Sequence, residues 1–66
     1  MDNITIRTLE LPLCVRGVTA LQDCGKYNIY INSRYTVKTR NEILRQELCK
    51  VENFDFADFK KFEFEE

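Results

Sequence analysis

Residues 27–52, YNIYINSRYTVKTRNEILRQELCKVE, change their apolar period halfway along, and that change decides the fold. Up to Asn32, the residues Tyr27, Ile29 and Ile31 alternate with Asn28 and Tyr30, the period of a strand with one buried face. Beyond it Val37, Leu44, Leu48 and Val51 recur at helical spacings, which line one side of an α-helix, and Ile43 widens the stripe. Thr36 or Ser33 supplies a side-chain oxygen able to accept from an exposed N–H at the helix start. The helix is expected over 37–52, roughly four turns.

Upstream the strand period persists. Ile4, Ile6 and Thr8 alternate with Thr5, Arg7 and Leu9, and Pro12, which lacks an N–H for a ladder, ends that strand or sits on an edge. A second strand is expected around Cys14 to Leu21, with Gly17 as a candidate bulge. Asp23-Cys24-Gly25-Lys26 has hairpin chemistry, because glycine takes positive φ without a Cβ clash. Residues 3–31 therefore read as a β-sheet region, and residues 1–66 as a single domain. The expected class is α+β: a small antiparallel three-stranded sheet packed by one amphipathic helix, the simplest way to bury both apolar faces.

Residues 53–66 differ from both regions. All five phenylalanines of the chain fall here, as Phe54, Phe56, Phe59, Phe62 and Phe64. Asp55, Asp58, Glu63, Glu65 and Glu66 outnumber Lys60 and Lys61, so five acids less two bases leave −3 in the segment. The whole chain carries −1, so the rest carries +2 and is weakly complementary to its own tail. Phe54 and Phe56, with Phe59 as a third candidate, are expected to complete a core that 66 residues can barely assemble otherwise. Phe62 and Phe64 alternate with acids, and either join that core, form an apolar contact patch rimmed by carboxylates, or add to a sheet edge.

Composition excludes several classes of function. With 32% charged and 44% hydrophobic residues the chain is of globular type, and no apolar run approaches a membrane-spanning length. No basic segment followed by an apolar one suggests a secretory signal. Near-neutral net charge argues against a direct nucleic-acid binder. Cys14, Cys24 and Cys49 are odd in number, with no C-x-x-C pair and no histidine, which points to reduced thiols in a cytoplasm rather than a disulfide framework or a zinc site. Without histidine, Ser-His and Cys-His mechanisms are closed. Cys49 is expected to be a small helix residue facing the domain.

Three stretches resemble a known family: Tyr30-Ile31-Asn32-Ser33-Arg34, then Glu42-Ile43-Leu44-Arg45, then Gln46-Glu47-Leu48-Cys49-Lys50-Val51. Their order and spacing are similar to the small ImmA/IrrE-like zinc metallopeptidases, where a strand ending in "INS" leads to a helix carrying "HELxHI" and then "DF". Asp55-Phe56 falls at the "DF", and Leu11-Pro12 and Gly17 match an "LP" and a glycine of the family. The resemblance spans about Leu9 to Phe56. In the family's helix two histidines one turn apart hold zinc and the glutamate between them activates water. Here those histidine positions are Gln46 and Lys50, and Glu47 alone remains. The resemblance thus implies the fold with a degenerate, zinc-free motif and a vestigial Glu47. Without it, Glu47 and Lys50 three residues apart read as an ion pair on a solvated helix face.

The functional expectation is a non-catalytic protein-binding module without cofactor. Its candidate contact residues are Tyr30, Phe59, Phe62, Glu63 and Phe64. The resemblance adds a phage or mobile-element origin and a bacterial protein partner, such as a host defence complex inhibited in the manner of an anti-CRISPR protein, or a regulator. Three alternatives stand beside it: a metal-dependent peptidase using atypical ligands such as Glu47, Glu52 and Asp55, an acidic nucleic-acid mimic, and a structural homo-oligomer such as a homodimer.

Overall fold

The computed structural model describes residues 3–65. Three strands, β1 (Ile4–Leu9), β2 (Gly17–Leu21) and β3 (Tyr27–Asn32), precede the helix α1 (Val37–Leu48), and a 3-10 helix spans Phe56–Lys61. The architecture is α+β, a three-stranded sheet under one main helix.

The sheet is mixed, not wholly antiparallel as the sequence suggested. Its order is β1-β3-β2; β2 runs antiparallel to β3, while β1 pairs with β3 in parallel. Residues 10–16 do not close a hairpin. They arch across the end of β3 to the far edge, and Asn32 holds the arch. Its fully buried side chain donates from Nδ2 to the carbonyls of Leu11, Pro12 and Val15 at 3.1, 3.1 and 2.8 Å. Its Oδ1 accepts from the N–H groups of Leu11 and Arg34 at 3.2 and 3.0 Å. The Tyr35 hydroxyl donates to the Leu13 carbonyl, a second tie on the same arch. One amide thereby satisfies backbone groups that a ladder would otherwise have to pair.

Two further expectations change with the arch. Cys14 to Arg16 belong to it, so β2 begins at Gly17, and Gly17 is no bulge, because its pairing with Ile31 continues unbroken to Leu21 and Tyr27. Its role is close approach. A Cβ there would lie 3.0 Å from Ile43 Cγ2, 3.1 Å from the Tyr30 carbonyl oxygen and 3.2 Å from Glu47 Cγ, so the missing side chain lets α1 settle on β2. Gly25 does the expected hairpin work at φ 86°.

Thr36 caps α1, its hydroxyl oxygen accepting from the Thr39 N–H at 3.3 Å. The helix stops at Leu48, short of the expected Glu52. Lys50 and Val51 donate to the carbonyls of Glu47 and Leu48, tightening the chain into a turn, and Asn53 takes the left-handed conformation at φ 62°. Val51 still reaches the core from that turn, so its helical spacing marked burial correctly but not helix.

Ile29 and Ile31 of β3 meet Ile43, Leu44 and Leu48 of α1 in the core, joined by Val51 and Phe59. Ile4, Ile6 and Tyr27 flank it from the same sheet face. Among the described residues no helix is long and apolar enough to cross a membrane.

Candidate functional site

The helical motif carries one buried acid. Ile43 and Glu47, one turn apart, lie toward β2, and Glu47 is only 7% exposed. Its Oε1 accepts from the Thr19 hydroxyl at 2.9 Å, and the Lys50 ammonium stands 3.1 Å from both carboxylate oxygens. The pair expected on a solvated face therefore exists, but Glu47 is buried against the sheet and only Lys50 is exposed. A carboxylate placed there without partners would be costly, and Thr19 with Lys50 removes that cost.

The zinc of the resembling family does not fit this donor set. A glutamine amide is a poor zinc ligand, and the cation that Glu47 already holds is a lysine side chain. Gln46 is exposed and makes no part of this network. Among the described residues no three His, Cys, Asp or Glu side chains gather where they could hold a metal ion. Cys49 caps the helix end and is exposed, contrary to its expected inward position; Cys14 and Cys24 are exposed as well, and all three are free.

The tail folds back over the domain. Asp55 caps the 3-10 helix by accepting from the Ala57 N–H at 2.9 Å, so the residue matched to the family's "DF" works here as a cap. Phe59 enters the core at 6% exposed, beneath the Arg45 guanidinium 4.3 Å from its ring centre. Phe54, Phe62 and Phe64 are half-buried against the same core. Phe56, expected in the core, is instead 38% exposed and only meets Phe54 edge-on at 4.9 Å, while Phe54 meets Phe62 at 5.9 Å. The Asn41 amide clamps Phe64, donating to its carbonyl at 3.0 Å and accepting from its N–H at 2.7 Å. Of the expected tail contacts, Phe59 is thus a core residue, Phe62 and Phe64 show only part of their rings, and Glu63 is exposed.

Tyr30 lies apart from the tail, on the other face of the sheet. Because Ile29 and Ile31 point to α1, the side chains of Asn28 and Tyr30 project oppositely, next to Arg7 and Leu9 of β1 and to Val18 and Ala20 of β2. Leu9 is 45% exposed and Val18 43%, and among the described residues no helix or strand lies over them. The five site residues therefore split, with Tyr30 on the bare sheet face and the other four at the tail.

Sequence reasoning missed one feature. A cleft of about 420 Å³ opens at the foot of the sheet between Ile4, Leu21, Tyr27, Val51 and Phe54. Its walls come from the starts of β1 and β3, the β2–β3 turn and the turn after α1, segments far apart in sequence, so no local pattern marks it. No family model matches the chain, and no curated protein and no solved structure matches it at a significant level.

Proposed function

We propose that this chain is a small non-catalytic protein-binding module that docks through the bare face of its sheet. The observation that carries the reading is the setting of Tyr30, at the centre of β3, between the half-exposed Leu9 and Val18 and beside the Arg7 side chain. An aromatic with a polar tip among small apolar neighbours suits an interface anchor, and a guanidinium at its rim suits a partner carrying carboxylates. Glu47, the one group retained from a catalytic motif, is held by Thr19 and Lys50, which supports a structural role for it. The resemblance to mobile-element metallopeptidases makes a bacterial defence or regulatory complex the partner class to test first.

The experiment is capture of partners from bacterial lysate with three baits: the native chain, Tyr30→Lys with Val18→Lys, and Phe62→Ala with Phe64→Ala. A stoichiometric partner kept by the native and phenylalanine baits but lost from the sheet-face bait is the expected result. Purified partner and chain should then bind by calorimetry with the same dependence. Retention by the sheet-face bait moves the surface elsewhere. Peptide hydrolysis that disappears with Glu47→Gln overturns the module reading altogether.

A further inference from the structure

β2 is an edge strand, and nothing along it guards the edge. Gly17–Leu21 contain no charge, no proline and no bulge, the devices that keep exposed edges from pairing. The opposite edge, β1, carries Arg7 in its middle. Which backbone groups of β2 are free follows from its ladder. The Asn32 N–H donates to the Arg16 carbonyl at 3.0 Å and the Gln22 N–H to the Lys26 carbonyl at 2.8 Å, so the even-numbered residues of this stretch bond to β3. The N–H and C=O groups of Gly17, Thr19 and Leu21 therefore point outward.

We propose that this edge is a self-association surface: a second copy of this chain adds its β2 antiparallel across a two-fold axis at Thr19, fusing the two sheets into one. In that register Gly17 faces Leu21 of the second copy and Thr19 faces Thr19, so the outward residues all meet, each facing pair exchanging two hydrogen bonds. A slip of one residue would set outward groups against inward ones. Leu21, 62% exposed, comes to lie beside Gly17 on the helix side of the sheet, where Ile43 and Glu47 of α1 stand over the glycine. On the bare face Val18 meets Ala20.

The ends are complementary in charge. Arg16 precedes β2 and Asp23 follows Gln22, so antiparallel pairing carries the Arg16 of each copy to the Gln22–Asp23 corner of the other. Both side chains are exposed, and neither enters an ion pair among the described residues. That fit of the strand to itself, in backbone parity and charge, selects a second copy over an unrelated strand. One short strand from each copy lies below the roughly 1,200 Å² of a standard stable interface, so the dimer is concentration-dependent.

Sedimentation equilibrium of the whole chain in reductant, over a dilution series, tests this. The expected mass rises from one chain to two, and Thr19→Pro stays at one, since proline deletes an outward N–H while sparing every bond to β3. That substitution also removes the Thr19–Glu47 bond, so a second variant fixes the register independently. Val18→Cys with Ala20→Cys, in a chain with Cys14→Ser, Cys24→Ser and Cys49→Ser, is expected to oxidise to a covalent dimer. Peptide mapping should find bridges from position 18 to position 20 of the other copy, because such a non-hydrogen-bonded pair holds its Cα atoms about 4.5 Å apart. A single-chain mass at every concentration, or a dimer untouched by Thr19→Pro and lacking those bridges, overturns the proposal.

Discussion

The two faces of the sheet differ in composition and in fate: one carries Ile4, Ile6, Ile29 and Ile31, the other mixes Leu9, Val18 and Tyr30 with Arg7 and Asn28. On one, Ile29 and Ile31 lie fully buried under α1 and the folded-back tail; on the other, Leu9, Val18 and Tyr30 meet no helix or strand among the described residues. Strand alternation supplies both faces, but cover for the first comes from residues far along the chain. The covered face holds the domain together, and the bare one is free to hold something else.

Breaking the cover should have the largest effect. Phe59→Ala removes a buried ring from beneath Arg45 and leaves a cavity in the core cluster, a loss of about 3–5 kcal/mol. Total stability for a chain this short is about 3–10 kcal/mol, so the variant should be partly unfolded at room temperature in urea titrations. Phe56→Ala, at a residue more than a third exposed but packed edge-on against Phe54, should cost less, about 1–2 kcal/mol. Equal losses at the two positions would mean that the tail is not seated as described.

Next comes the arch that lets β1 join the sheet in parallel. Asn32→Ala removes the partner of the Leu11 and Arg34 N–H groups and of three carbonyls, all in half-buried or exposed residues that water can reach in its place, so the loss should be about 1–3 kcal/mol in all. The loss should be local as well as global. Hydrogen exchange across residues 10–16 should accelerate more than exchange in α1, and uniform acceleration would show that the arch is not a separate unit.

These two sites also mark what the sequence could and could not disclose. The stripe of Ile43, Leu44, Leu48 and Val51 and the alternation of β3 were legible, because burial imposes a period on consecutive residues. Strand direction was not, since alternation reads the same parallel or antiparallel. Nor was the role of Asn32 legible, although it falls in the matched "INS" stretch: a lone asparagine at a strand end looks like a turn residue, and its five bonds reach 2 to 21 positions away. The candidate site was legible in part. Tyr30 was marked by its place opposite Ile29 and Ile31, whereas the buried Glu47 was assigned to solvent because Thr19, its partner, lies 28 residues earlier.

Smaller effects are expected where the covered face meets β2. Gly17→Ala forces a Cβ to about 3.0 Å from Ile43 Cγ2 and near the Tyr30 carbonyl oxygen, and should cost toward the lower end of the roughly 1–3 kcal/mol seen for overpacking. Ile43→Val in the same chain should recover part of that loss by withdrawing the methyl nearest the new atom. No recovery would assign the strain to the carbonyl contact instead.

The bare face should yield the smallest change in stability, and this is the sharpest test of the comparison. Val18→Thr keeps a β-branched side chain and Leu9→Thr introduces one, both strand-compatible, at positions 43% and 45% exposed, so each should shift unfolding by no more than about 0.5 kcal/mol. The same pair of changes should weaken binding of any partner that docks around Tyr30, because the apolar flanks of the anchor are replaced by hydroxyls. Stability and binding then separate by face: Phe59 governs the first and Val18 the second. A loss of about 2 kcal/mol or more at Val18 in the isolated chain would show that this face is already covered in solution, and the division between a structural face and a docking face would fail.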